Sequence, residues 1–262
     1  TSYGWILGVS EVYFHNGAFA WFFLSFPYLI FNLIFAFFFS KRTRAAGFES
    51  YPDLLRINYG SKVSFIGALG ILILMAPSMY ILMTAQLINW LFNWNIYLSI
   101  VISTILSVVY VFFGGLKAIT KNDIIKFILM FLGFGLLTII LWKDYGLSYL
   151  INNSDPKDLS FNIKDFSSGF LTWLLLASIV LVDPSYHQRI YSVDNPKTAK
   201  KGMIWAVVLW SIFDFFTLST ALFGKAILNN PSPNLLYPEL GAFILPDYLE
   251  PLFFLGIFAT IM

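Results

Sequence analysis

The chain of 262 residues contains no cysteine and only two histidines. The first absence excludes disulfides, thiolate chemistry and cysteine-ligated metal clusters within this sequence. His15 has no second histidine or cysteine at ligand spacing, so we predict no transition-metal site. The sequence also lacks a nucleophile elbow, a phosphate-binding loop and a metalloprotease pattern, so we predict that the protein is not an enzyme.

Charged residues are scarce as well. They make up 11% of the chain, and the mean hydropathy is +0.76, whereas soluble domains carry about 25% charged residues. This composition excludes an ordinary soluble domain and predicts that the lipid bilayer surrounds the chain. The net charge of +2 gives no indication of a nucleic-acid partner, and we expect none.

Apolar residues are abundant and occur in long runs. A helix needs about 20 mostly apolar residues to cross a bilayer. Six runs are close to or above that length: 18–39, 63–91, 96–113, 124–142, 169–190 and 203–228. They predict an all-α, polytopic membrane helix bundle. Because Thr1 is not an initiator and the apolar run 251–262 stops where a span should continue, we expect a fragment that is truncated at both ends.

The lysines and arginines are concentrated in alternate connectors. The basic connectors are expected on the cytoplasmic side, and they comprise 41–62, 117–126 and 189–201. The outer side should hold 143–168, where acidic residues balance the lysines, and 229–250, which has neither lysine nor arginine. We expect a surface loop at 146–168 and a short cap helix within 229–250. Glu11 should lie near the outer surface, in contact with solvent.

A short polar connector is predicted at 114–123, between two of the apolar runs. Its two glycines, two lysines and carboxylate, placed between membrane-length spans, are typical of a transport protein. The pattern also fits an ordinary cytoplasmic loop, in which Asn122 caps the next helix and Asp123 lies at the positive end of the helix dipole. The residues of the connector alone leave both interpretations open.

Two further patterns predict local structure in and beside the spans. The apolar and polar residues after Ser50 are spaced as in a short amphipathic helix that lies on the membrane surface. Gly60 would end that helix. Pro77 lies inside an apolar run and predicts a kink.

The sequence Val182-Asp183-Pro184 predicts a break within a span. Aspartate favours the N-cap and proline the first position of a helix, so one helix should stop near Val182 and another begin at Pro184. Breaks of this kind expose backbone groups to substrates and ions in transporters. The alternative is that Asp183 starts a cytoplasmic surface helix that carries His187 and Arg189.

Asp214 is an acidic residue in the middle of the apolar run 203–228. A carboxylate in a span costs a few kcal/mol unless it faces other helices or a water-filled cavity. It could therefore bind a cationic group of a solute, or it could form a structural tie to a hydroxyl or backbone group on a neighbouring helix.

Three motifs occur in an order and spacing that resemble the sodium:solute symporters over essentially the whole chain. They are Tyr51-Pro52-Asp53-Leu54-Leu55 with Asn58-Tyr59-Gly60, Gly114-Gly115-Leu116-Lys117-Ala118-Ile119 before Asp123, and Asp183-Pro184 to Gln188-Arg189 with Ala199-Lys200-Lys201-Gly202. The resemblance implies a LeuT-like five-plus-five inverted repeat. Residues 1–142 would form the first repeat, lacking its start, and 165–262 the second, lacking its end.

The resemblance also implies a sodium ion as the coupling ion. Backbone carbonyl groups at or next to Thr1 and Thr260 would hold it, and further hydroxyl ligands would follow Met262. Asp123 matches a family carboxylate near the sodium exit path. Its neighbours depart from the family pattern, because Lys121-Asn122 replaces Trp-Thr and Lys126 replaces Gln.

Substrate contacts carried over from the family fall on positions that are mostly apolar, which makes a sugar a poor candidate: Trp5, Leu24, Ala76, Tyr80, Leu176, Ile179 and Trp210. We therefore predict a sodium-coupled symporter that imports a small organic solute by alternating access. It should be a multi-pass protein of the cell membrane, such as a bacterial inner membrane. The alternative is a symporter-like membrane sensor domain of a signalling protein.

Overall fold

The computed structural model describes residues 5–160 and 166–261, without the side chains of residues 5, 74, 110–121 and 166–169. The regular secondary structure of these ranges is helical, which confirms the all-α prediction. The α-helices of the described chain are α1 Trp5–Asn16, α2 Ala20–Ile34, α3 Ser40–Ala45, α4 Tyr51–Tyr59, α5 Ser61–Leu74, α6 Ser78–Phe92, α7 Ile96–Asp144, α8 Gly146–Asn153, α9 Pro156–Leu159, α10 Phe166–Ala177, α11 Pro184–Tyr191, α12 Pro196–Ile227, α13 Leu236–Ile244 and α14 Glu250–Ile261.

Five helical stretches of the described residues are long and apolar enough to cross a membrane. They are Ile6–Ala45, Ser61–Phe92, Asn122–Asp144, Phe170–Tyr191 and Pro196–Ile227. Each overlaps one of the predicted spans. The remaining predicted span, 96–113, corresponds to the shorter apolar helix Ile96–Val109, and it continues into residues whose side chains are not described. The prediction of a polytopic membrane helix bundle is confirmed.

The prediction of a polar connector at 114–123 is wrong. The backbone of α7 is one helix of 49 residues, so Asn122 does not cap a helix start. The cap of α7 is Asn95, whose Oδ1 accepts a hydrogen bond from the N–H of Tyr97 at 2.8 Å. A glycine in a helix interior costs only about 1 kcal/mol relative to alanine. Without a proline, the two glycines therefore do not end the helix.

The local predictions near the membrane surfaces have mixed outcomes. The surface helix is confirmed as α4, because Ser50 Oγ accepts from the N–H of Asp53 at 3.3 Å and Gly60 ends the helix. Pro77 marks a full interruption between α5 and α6 instead of a kink, since it removes a backbone donor. The cap helix within 229–250 is α13, but the surface loop predicted at 146–168 is wrong because α8 and α9 form there.

The described residues form two compact units. Unit 1 lies within Thr1–Phe19, Pro77–Phe161 and Phe215–Met262, and unit 2 lies within Ala20–Ala76 and Asn162–Asp214. The division into repeats at 1–142 and 165–262 stays a prediction.

The core of unit 1 is the contact between α7 and α14. Gly256 allows these helices to approach closely, because a Cβ atom at this position would lie 2.9 Å from the carbonyl oxygen of Leu129. Small residues commonly permit such close packing between membrane helices. Next to this contact, the ring of Phe134 packs against Tyr237 and Phe253, at centroid distances of 5.4 and 5.2 Å.

An ion pair joins three elements of unit 1. Lys225 Nζ, in the last turn of α12, lies 2.7 Å from Asp158 Oδ1 on α9 and donates to the carbonyl oxygen of Phe14 at 2.7 Å. Gly17, with φ of +60°, packs on the backbone of Asp158, and a Cβ atom there would lie 2.4 Å from the Asp158 carbonyl oxygen. The end of α1, α9 and the end of α12 are therefore fastened together.

The core of unit 2 forms around a π-helical turn, Phe35–Phe39, that follows α2. Phe35 is fully buried there, together with Val180, Ile190 and Ala199. α2 also packs against α10 and the 3₁₀ turn that follows α10. This packing holds the chain on both sides of the interruption near Val182.

Candidate functional site

The predicted helix break at Val182 is confirmed. α10 is followed by a 3₁₀ turn, Ser178–Leu181, and the N–H of Val182 donates to the carbonyl oxygen of Ile179 at 2.9 Å. Asp183 Oδ1 then accepts hydrogen bonds from the backbone N–H and the hydroxyl of Ser185, at 2.7 and 2.5 Å. Asp183 is therefore the N-cap of α11, and its role in the structure is to start the second helix after the break.

α11 is more than a surface helix. His187 is buried and its Nε2 lies 3.0 Å from the carbonyl oxygen of Leu181. The imidazole ring also meets Phe35 and Tyr51 edge to face, each at a centroid distance of 5.3 Å. Arg189, by contrast, is exposed. One face of α11 is thus packed inside unit 2, directly after the break, while the other face is open.

Asp214 lies inside unit 2 and is only 6% exposed. The side chains of Ser25 and Trp21, both on α2, are the polar groups that interact with its carboxylate, whose Oδ2 makes no hydrogen bond within the described residues. Both sequence interpretations, a site for a cationic group and a structural tie to a neighbouring helix, stay predictions.

The predicted substrate positions are divided between the two units. Unit 1 contains Trp5, whose side chain is not described, and Tyr80, which is 43% exposed. The positions in unit 2 are Leu24, Ala76, Leu176, Ile179 and Trp210. Leu24 lies on α2, which packs against α10 and the 3₁₀ turn that carry Leu176 and Ile179.

Most of these substrate positions face open space. Leu176 and Ile179 are 47% and 45% exposed, and Ala76 is exposed in the interruption between α5 and α6. Trp210 is half-buried and lines a cavity of about 340 Å³ in unit 2, together with Asn32 and Arg189. The side chains are therefore available for contact, and the set as a whole stays a prediction.

Of the two predicted sodium ligands, Thr260 is the one that lies within the described residues. Thr1 lies outside the described residues. Thr260 is in α14, and its hydroxyl donates to the carbonyl oxygen of Gly256 at 2.7 Å. The hydroxyl of Thr260 is thus bound within its own helix, and a sodium ligand at or next to its backbone carbonyl stays a prediction.

Asp123 lies on α7 and its side chain is 53% exposed. Its Oδ1 is 4.0 Å from Nζ of Lys126, three residues further along the helix. The pair is long and joins an exposed carboxylate to a lysine whose side chain is only 18% exposed. The carboxylate is therefore open to an ion, with one cation beside it. Within the described part of the chain, no three His, Cys, Asp or Glu residues form a cluster that could hold a metal ion.

Sequence reasoning missed a second cavity of about 340 Å³, which lies inside unit 1 between α1 and α6. Its polar lining includes Glu11, Gln86 and Asn234. Glu11 was expected in solvent near the outer surface, and the structure adds that it lines this α1–α6 cavity. The three residues are far apart in sequence, so no local pattern signals that they meet.

The arrangement of apolar spans, an interrupted helix pair and an ion-accessible carboxylate fits a membrane transporter. A family model described as the sodium:solute symporter family matches residues 1–262, which is the whole chain. The family consists of transporters and not of enzymes, and its members couple solute transport to sodium. The protein is therefore a multi-pass membrane protein, and it belongs to the sodium:solute symporter family.

Proposed function

We propose that the protein imports a small organic solute, driven by an inward sodium gradient, and that it works by alternating access in the cell membrane, such as a bacterial inner membrane. The observation that best supports this proposal is the break between α10 and α11 at Val182. An interrupted helix offers backbone carbonyl and N–H groups to ions and solutes at membrane depth. Asp183 keeps the second helix start in place, so the break is a defined structure.

Sodium in this proposal binds to the backbone carbonyl groups of Thr1 and Thr260. Interrupted or adjoining helices commonly supply such carbonyl ligands in transporters. Asp123 would serve on the exit path, where its exposed carboxylate can meet a passing ion. Lys126 lies close enough to Asp123 to compete with that ion, which distinguishes this path from the usual family pattern.

The solute in this proposal contacts the apolar positions carried over from the family, which are Trp5 and Tyr80 in unit 1 and Leu24, Ala76, Leu176, Ile179 and Trp210 in unit 2. The exposure of Tyr80 and Ile179 supports this role, because neither side chain is buried in a hydrophobic core. An apolar lining with few polar groups is typical of pockets for small organic molecules.

The experiment is uptake into proteoliposomes that contain the purified protein. Vesicles in a mixture of small solutes receive an inward sodium gradient, and their contents are identified by mass spectrometry. We expect accumulation of at least one solute with the sodium gradient and none with an equal potassium gradient. Accumulation that is the same with either cation would refute sodium coupling.

The variant Asp123→Ala tests the ion path. Its sodium-driven uptake should fall strongly, because the carboxylate that meets the ion is lost. The matched control is Asp144→Ala, which removes another exposed carboxylate from the same helix and should retain wild-type uptake. Equal uptake by the two variants would contradict a role for Asp123.

A further inference from the structure

The α1–α6 cavity has the size of a small-molecule site. Its volume is about 340 Å³, and ligand pockets commonly measure about 300–1,000 Å³. All of its lining residues belong to unit 1. None of the predicted substrate positions lines it.

The first wall of the cavity is one face of α1. Leu7 and Glu11 are four residues apart, so both side chains lie on the same side of the helix. Ser10 donates hydrogen bonds to the carbonyl oxygens of Leu7 and Pro233, at 2.7 and 2.8 Å. The bond to Pro233 holds the segment with Asn234 against α1, so Asn234 is placed at the cavity by a defined contact.

The second wall is one face of α6. Met79, Met83 and Gln86 follow one another at intervals of four and three residues, which places them along a single stripe of the helix. The thioethers are soft and adaptable, and they suit the carbon skeleton of an organic molecule. Gln86 adds an amide at the end of this apolar stripe.

The polar side chains that line the cavity are not engaged in hydrogen bonds or ion pairs within the described residues. Within the described part of the chain, the side chains of Glu11, Gln86 and Asn234 make no hydrogen bond or ion pair with another residue. Glu11 is the charged member of the lining and is half-buried. No cation of the protein pairs with this carboxylate within the described residues, so it is open to a cation from outside.

The connector that contributes Asn234 to the cavity is acidic as a whole. The connector 229–250, which contributes Asn234, carries Glu239, Asp247 and Glu250 and has neither lysine nor arginine. A cleft lined by one sign of charge raises the local concentration of the oppositely charged ligand.

We infer that the α1–α6 cavity binds the protonated amine of a small organic solute, with Glu11 as its counter-ion. An ammonium group has three N–H donors, and the cavity is lined by three side chains that carry oxygen acceptors, Glu11, Gln86 and Asn234. The apolar stripe of α6 contacts the carbon skeleton. This inference goes beyond the proposed function, because it adds a site that is separate from the predicted substrate positions and takes a primary amine.

The test is a binding titration of the purified protein in potassium buffer without sodium. The probe is 4-hydroxybutylammonium, and its neutral counterpart is 1,4-butanediol, which replaces the ammonium by a hydroxyl at similar size. Binding is measured as the rise in the thermal unfolding midpoint with probe concentration, because a ligand of the folded state stabilises it by mass action. Sodium chloride at equal concentrations forms a third arm.

The variants are Glu11→Gln, which removes the charge at constant shape, and Asp247→Asn, a matched control that removes an exposed outer carboxylate that does not line the cavity. We expect the ammonium probe to stabilise the wild type and Asp247→Asn alike. For Glu11→Gln, the probe concentration that gives the same rise in the unfolding midpoint should increase about tenfold or more. The reason is that hydrogen bonds to charged groups are stronger than those between neutral groups. If Glu11→Gln does not fold, Gln86→Leu is used instead, and it should weaken binding of the ammonium probe several-fold.

Three results would overturn the inference. The first is an equal response of wild type and Glu11→Gln to the ammonium probe, and the second is a wild-type response to 1,4-butanediol that equals its response to the ammonium probe. The third is a Glu11-dependent response to sodium that matches the ammonium response. Failure here is distinct from failure of the proposed function. Sodium-driven uptake can persist in vesicles when the amine titration fails, and amine binding at Glu11 can be measured when no uptake depends on sodium.

Discussion

Replacement of Lys225 by methionine should destabilise the protein because it leaves a buried carboxylate without its cation. Lys225 Nζ lies 2.7 Å from Asp158 Oδ1 and also donates to the carbonyl oxygen of Phe14. That carbonyl belongs to the last turn of α1, where backbone acceptors have no partner within the helix. Lys225→Met keeps the length of the aliphatic stem but removes both hydrogen bonds.

The magnitude follows from the burial of the two partners. Removal of one member of a buried ion pair costs about 3–5 kcal/mol, because the other charge is stranded. Since the side chain of Lys225 is 29% exposed, we expect Lys225→Met to lie at the lower end, near ~3 kcal/mol. Asp158→Asn should cost less, about 1–2 kcal/mol, because Lys225 can turn to water whereas Asp158, at 9% side-chain exposure, cannot.

The assay is unfolding in mixed micelles, followed by tryptophan fluorescence as the fraction of dodecyl sulfate increases. The control is Lys143→Met at an exposed lysine in the last turn of α7, with an expected change within about 0.5 kcal/mol. The double variant with Asp158→Leu should be more stable than Lys225→Met alone, because no charge is stranded. An Asp158→Asn cost equal to that of Lys225→Met, or a double variant that costs the sum, would refute the reasoning.

Two further predictions use the same unfolding assay. Gly256→Ala should cost about 1–3 kcal/mol, because the new Cβ would lie 2.9 Å from the Leu129 carbonyl oxygen, whereas Gly70→Ala, with no atom within 4 Å, should be neutral or stabilise α5 by up to about 1 kcal/mol. Equal costs at the two glycines would contradict the close helix contact. Asp183→Ala should cost about 0.5–2 kcal/mol through loss of the cap on α11, and Asp183→Asn should stay near wild type. An asparagine variant as unstable as the alanine variant would show that the carboxylate does more than cap the helix.

Helix boundaries were predictable from the sequence where a single residue supplies the signal. Ser50 and Asp183 cap α4 and α11 through bonds to N–H groups two or three residues away, so the information is local. The continuity of α7 was not predictable in the same way. A glycine pair weakens a helix without ending it, and the polar residues around Asp123 suit a helix surface as well as a loop.

The site was less predictable because its contacts join residues that are distant in the chain. The sequence indicates that Asp214 is a carboxylate in an apolar span, but its surroundings depend on Ser25 and Trp21, which interact with it from α2. Asp214 is only 6% exposed, so a solute cannot reach it without movement of the residues around it. Glu11 has a cavity beside it and makes no hydrogen bond or ion pair within the described part of the chain. Of these two carboxylates, Glu11 is therefore the one arranged to receive a cation from outside the protein.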